Sequence, residues 1–223
     1  MVRTNIENQL DEIQDDILAL ASMVEKAITH AIDALRERDL EASQAVVAFD
    51  DVIDEKRFVI EERCVDLLAT QQPAARDLRW VIALLHIAVE LERMGDYAEG
   101  IGKISLMMGD EPPLKPLIDI PRMAEMSISM LHQSIDALVT RDVDLARRVC
   151  DADDEVDALH EQIYHELLLF MIKDPRSIQR ATYLLWVTHD LERTADRATN
   201  IAERVIYLVT GKMLDLNLSK QVS

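Results

Sequence analysis

Eight carboxylates carry the chemistry that this sequence offers. Glu92 and Asp96 stand four residues apart, as do Glu192 and Asp196, Asp50 and Asp54, and Asp153 and Asp157. On a helix that spacing puts both members of a pair on one face. Like charges so placed destabilise an isolated helix by about 0.2–0.5 kcal/mol per pair, so each pair calls for a compensating charge. A bound cation is one such charge. The alternative is a solvated acidic face balanced by Arg93, Arg193 and their neighbours. With 42 acidic residues in the chain, any one pair could arise by chance and carries little weight. The four pairs, however, recur at matching positions in the two halves of the chain, and this recurrence makes them candidate metal ligands.

Carboxylate oxygens suit hard cations such as magnesium, calcium or manganese, and they also hold iron. Cys64 and Cys150 lie far apart with no Cys-x-x-Cys spacing, so they read as reduced core thiols. A ferritin-like oxidase would need paired Glu-x-x-His motifs. The nearest approach, Asp157-Ala-Leu-His160, occurs once and has no counterpart in the first half. The six histidines show no repeat-matched pairing and are set aside. No phosphate-cradling glycine loop and no Gly-x-Ser-x-Gly elbow is present. The expectation is a regulator and not an enzyme. A metal-free helical adaptor and a carboxylate-bridged metal enzyme are the competing readings.

The elements that must position these carboxylates are helices. Five Gly and six Pro are few for 223 residues, so turns are scarce and the regular elements long. Leu10, Ile13, Ile17, Leu20, Val24, Ala27, Ala31 and Leu35 alternate in threes and fours and predict an apolar seam along a first helix. Asp39 offers an N-cap to a second helix that continues through Phe49, Val52, Phe58 and Leu67 to about Thr70. A third runs from Pro73 through Trp80, Leu84 and Ile87 to about Met108, where Gly109 closes it. The fourth is expected from Pro121 to Thr140 and the fifth from Asp142 to Met171. The sixth follows with Asp174 as cap, Pro175 at its first position and Gly211 beyond its end.

Arg38-Asp39, Asp50 and Asp54 match Arg141-Asp142, Asp153 and Asp157 at one shared offset. The stretch ELERMGDYAEGI, Glu90 to Ile101, aligns with DLERTADRATNI, Asp190 to Ile201, at an offset three residues shorter. The predicted fold class is therefore all-α, with two pseudo-symmetric repeats of a three-helix bundle and six long helices. Residues 1–109 form the first repeat, 110–118 a Pro-rich linker, 119–213 the second repeat and 214–223 a polar tail. Gly95 and its equivalent Ala195 are small enough to let a neighbouring helix approach each acidic face.

The formal charge of -18 opposes binding to nucleic acid and to anionic lipid and favours cations and basic protein surfaces. The first residues lack an apolar signal core, and the longest apolar stretch is too short to span a bilayer. A cytoplasmic location and no membrane insertion are expected.

Over nearly its whole length the chain resembles the PhoU family of phosphate-signalling regulators. QPAARDLRWVIALLHIAVELERMGD, Gln72 to Asp96, is similar to the family's Q-P-x-x-x-D-L-R segment and the E-L-E-R-x-G-D motif that follows it. Met130 to Ala146 and Asp190 to Val205 are similar to the second-repeat counterparts. The resemblance implies metal ions, whether iron, zinc, magnesium or manganese, held by Asp50, Asp54, Glu92 and Asp96 in one repeat. In the other repeat the ligands are Asp153, Asp157, Glu192 and Asp196, with Glu99 and Glu203 as second-choice ligands. It also implies a restraint on phosphate uptake and on the phosphate-starvation response when phosphate is plentiful. The implied partners are the ATPase subunit of the phosphate-specific ABC transporter, a membrane sensor histidine kinase and a second copy of the chain. The second motif departs from the family pattern, reading ERTAD where Gly is usual before the Asp, so the two sites are expected to differ in affinity. A long acidic bundle offers no evident phosphate pocket, so weak or no binding of free phosphate is expected.

Overall fold

The computed structural model of the protein describes residues 2–212, and among these it contains six α-helices and no strand. They are α1 (Val2–Glu37), α2 (Leu40–Gln71), α3 (Ala75–Met108), α4 (Asp119–Thr140), α5 (Val143–Lys173) and α6 (Ile178–Thr210). The polar tail and Met213 lie outside the described residues.

Helix ends follow local chemistry. Asp39 accepts a hydrogen bond from the Ala42 amide at 2.9 Å, and Asp142 accepts from Asp144 and Leu145, each at 2.9 Å. Just before each cap the chain turns through a left-handed residue, Arg38 (φ 58°) or Arg141 (φ 56°). The next amide then reaches back to a helical carbonyl, Asp39 to Ala34 at 2.9 Å and Asp142 to Ala137 at 3.1 Å. The two repeats thus close their first helical hairpins with the same turn. Differences from the predicted boundaries are small. Helix α4 starts at Asp119, which leaves Pro121 in the first turn, where its missing N–H costs no helical bond. Asp174 caps a single 3₁₀ turn, Pro175–Ser177, and α6 proper follows it.

The predicted seam of α1 is buried throughout, from Leu10 to Leu35. Not every apolar side chain of α2 faces the core. Val52 and Phe58 are 45% and 53% exposed, and the core side is Val46, Ile53, Ile60 and Leu67, one residue every seven. That spacing keeps a single line of contact against neighbouring helices, whereas Phe58 lies outside it with the Arg57 guanidinium 4.0 Å from its ring centroid. Of the methionines near the linker, Met123 and Met130 are buried and Met107 is exposed.

Within each repeat the three helices pack on one another, and α3 lies along α6 to join the repeats, with a smaller contact between α1 and α4. The buried apolar side chains of both repeats form one continuous core. Residues 109–118 form no helix but are pinned. Arg38 donates to the Asp110 carbonyl at 3.2 Å and Arg180 to the Pro112 carbonyl at 3.2 Å. The Lys115 ammonium, almost buried, bonds Glu166 and reaches Asp119 at 3.3 Å.

Candidate functional site

Helices α2 and α3 bring the first set of carboxylates together because Gly95 removes a side chain from their contact. A Cβ at Gly95 would lie 3.0 Å from Ile53 Cγ2 and 3.4 Å from Asp50 Oδ1, so the approach predicted from sequence is real. Burial, added to the charges of Asp96, Glu99, Asp54 and Glu92, pushes the Asp50 carboxyl up to about 6. Glu92 and Asp96 also rise, again mainly through burial, with Asp96 acting on Glu92 and Asp54 and Glu99 acting on Asp96. All five carboxylates therefore share one electrostatic neighbourhood, Glu99 included. Asp50 Oδ1 and Asp54 Oδ1 are buried without a hydrogen-bond partner, although a buried carboxylate oxygen ordinarily has one. Two basic groups border the cluster: Arg57 stands 3.6 Å from Glu92 and Lys103 stands 2.5 Å from Glu99.

The second set is built differently. Asp153 is 6% exposed on α5, whereas Asp157, one turn on, is exposed. Asp196 is raised mainly by burial and then by Glu192, against the opposing pull of Arg193, Arg197 and His189. His189 Nδ1 lies 3.2 Å from Glu192 Oε2, and its ring centroid is 6.5 Å from that of His160. Repeat matching in the sequence does not single out these two histidines. His160 is equivalent to Arg57 and His189 to Val89, so neither has a histidine counterpart in the first repeat. Both repeats carry fixed cations near their carboxylates, Arg57 and Lys103 in the first and Arg193 and Arg197 in the second, and the second adds the imidazole of His189.

As placed, no three His, Cys, Asp or Glu side chains among the described residues converge closely enough to enclose an ion. The donor chemistry nevertheless fits a cation in the first repeat. Carboxylates that repel one another there include two oxygens that are buried and unbonded. In the second repeat the imidazoles add nitrogen donors, which suit zinc or iron better than magnesium. Glu203 lies further along α6 and is half-buried.

The PhoU domain profile matches this chain twice, over residues 5–105 and 120–205. The chain belongs to the PhoU family. Its relatives include the phosphate-specific transport system accessory protein PhoU homologues of Clostridium acetobutylicum and Aquifex aeolicus. Each is 38% identical to it, over 97% of this chain and 100% of the relative in the first case and 92% and 93% in the second. Among solved structures, PhoU from Pseudomonas aeruginosa superposes with a TM-score of 0.88 at 34% identity, covering 92% of this chain and 99% of that one. The phosphate transport system regulatory protein PhoU from Streptococcus pneumoniae gives the same TM-score at 30% identity, covering 94% and 99%. As expected for a PhoU fold, six helices fall into two three-helix repeats. Among the described residues no helix is long and apolar enough to cross a membrane.

Proposed function

We propose that this PhoU-family protein is a cytoplasmic regulator of phosphate homeostasis. It restrains phosphate uptake and the phosphate-starvation two-component response when phosphate is plentiful. Relatives that align along nearly their whole length are named accessory and regulatory proteins of phosphate transport, and this observation carries the reading. In this role the protein is a regulator rather than a catalyst. Its partners are the ATPase subunit of the phosphate-specific ABC transporter and the sensor histidine kinase, and it acts as a homodimer. A decisive comparison is phosphate uptake in phosphate-replete cells with and without the chain. Loss of the chain should raise uptake, and unchanged uptake would refute the assignment.

Metal ions at the acidic faces prepare the docking surfaces. Asp50, Asp54, Glu92 and Asp96 hold one site, and Asp153, Asp157, Glu192 and Asp196 the other. Support comes from the buried, unbonded oxygens of Asp50 and Asp54 and from the burial, joined by repulsion from neighbouring carboxylates, that lifts Asp50. Elemental analysis of gently purified protein should find at least one ion per chain, lost when both Asp96 and Asp196 are changed to Asn. If neither protein holds metal even after reconstitution, the acidic faces act as metal-free adaptor surfaces, with Arg57 and Lys103 as counter-charges on the first and Arg193 and Arg197 on the second.

A further inference from the structure

At one end of the bundle a cavity of about 240 Å³ opens between the start of α3, the α4–α5 turn and the end of α6. Arg76, Arg79, Trp80 and Arg141 frame its polar side, and Leu208 and Val209 its apolar side. In a chain with 42 acidic residues and 24 basic ones, arginines ordinarily find carboxylates. Here, among the described residues, none of the three arginines is ion-paired. Arg141 instead lies 4.5 Å from the Trp80 ring centroid, and Arg79 Nε is buried with no hydrogen-bond partner. Helix α6 ends beside them: a Cβ at Gly211 would collide with Arg79 Nη1. The feature is therefore a cationic, aromatic-backed recess on a strongly acidic protein.

The internal repeat indicates what such a recess accepts. Arg38 occupies the same left-handed turn position as Arg141, Arg180 is equivalent to Trp80, and Met108-Gly109 to Leu208-Val209. At that equivalent place the Pro-rich linker lies over the arginines. Arg38 and Arg180 each donate to a linker carbonyl at 3.2 Å, and the Glu111 carboxylate stands 3.9 Å from Arg180. The cavity found beside Arg38, Met108 and Gly109 is about 10 Å³ and is lined in part by the linker residues Glu111, Pro113 and Leu117. One half of the molecule thus shows the same architecture filled by an extended segment that offers carbonyls and a carboxylate.

We propose that the Arg76/Arg79/Arg141 recess is a docking site for an extended, acidic, proline-tolerant peptide segment of a partner protein. The segment binds as the linker binds at the pseudo-symmetric position. Guanidinium groups suit this ligand, since each can take a carboxylate through two parallel hydrogen bonds or donate to successive carbonyls. The proposal stands apart from the metal-dependent faces, which lie on other surfaces of α2, α3, α5 and α6.

Trp80 reports on the site directly. In full-length Trp186→Phe protein it is the sole tryptophan, so its fluorescence can be titrated with the synthetic peptide DEPPLKPL, the sequence of residues 110–117. A saturable change is expected, weakened at least fivefold in Arg141→Gln and in Arg79→Gln, and weakened similarly when the peptide's Asp and Glu become Asn and Gln. Arg141 is exposed on a turn, so its variant retains a folded reference if the Arg79 change disturbs packing; circular dichroism verifies both. Three outcomes would overturn the proposal. The first is no saturable change. The second is an equal change with inorganic phosphate that the peptide cannot compete with, which would make this a small-anion pocket. The third is binding only after truncation at Lys212, which would assign the recess to the chain's own following segment.

Discussion

Glu90 and Asp190 occupy equivalent positions on α3 and α6 yet meet opposite surroundings where the two repeats join. The Glu90 carboxylate accepts from Arg197 at 3.1 Å and from Asn200 at 3.0 Å. Asp190, shorter by a methylene, faces Gly100, and burial pushes its carboxyl up to about 6. Because its folded-state affinity for a proton exceeds the unfolded one, its contribution to stability is most favourable below about pH 4. That contribution is lost as pH rises to about 6, so at pH 7 the ionised group destabilises the fold. Asp190→Asn should therefore stabilise the fold at pH 7 by about 1–2 kcal/mol after allowance for solvent screening, seen as a higher melting temperature, with the gain fading toward pH 4. Glu90→Ala should do the opposite and cost about 2 kcal/mol at pH 7, since it removes the carboxylate that Arg197, 13% exposed, is hydrogen-bonded to. Thermal melts of both variants between pH 4 and pH 8 test the pair, and equal signs at pH 7 would refute the account. Neither contact was legible in the sequence, where Glu90 and Arg197 are ordinary charges on helices far apart in the chain.

At the scale of the element, the aspartate caps were the most legible feature, because a cap depends on residues within three positions of itself. Asp142 holds two amides and Asp39 one, so Asp142→Ala should cost about 1–2 kcal/mol and Asp39→Ala about 1 kcal/mol or less. Urea unfolding measures both, and a larger loss at Asp39 would contradict the geometry. Carboxylate pairing was legible for the same local reason, since four residues of helix fix which side chains share a face. What escaped depended on the neighbouring helix. Val52 and Phe58 are as apolar as the core residues of α2, but the line of contact passes through Val46, Ile53, Ile60 and Leu67. His160 and His189 were invisible as a pair because they sit on different helices and meet only through α5–α6 packing. Gly95 was read correctly, its missing side chain having one consequence wherever two helices cross.

For the whole molecule, the question is whether two repeats with separate acidic faces form one folding unit. Each repeat has its own hairpin turns, caps and acidic face, which favours independent folding. Against this, the apolar core runs without a break through both repeats, and α3 lies along α6 with Leu91, Ala98, Ile101, Leu191, Ala198 and Ile201 fully buried. At about 25 cal/mol per Å² of apolar surface removed from water, baring one side of either helix would cost several kcal/mol, comparable with the whole stability of a domain. The core term should win, and the chain should unfold in one cooperative step. The two tryptophans make this testable, since Trp80 lies in the first repeat and Trp186 in the second. Trp186→Phe and Trp80→Phe proteins, each followed by its remaining tryptophan, should give urea transitions that coincide with each other's helical signal. A Leu191→Ala change added to the Trp186→Phe protein should also lower the midpoint reported by Trp80, although the two residues belong to different repeats. Separate midpoints, or a Trp80 transition blind to Leu191→Ala, would mean that the repeats fold apart and that a signal at one acidic face has no mechanical route to the other.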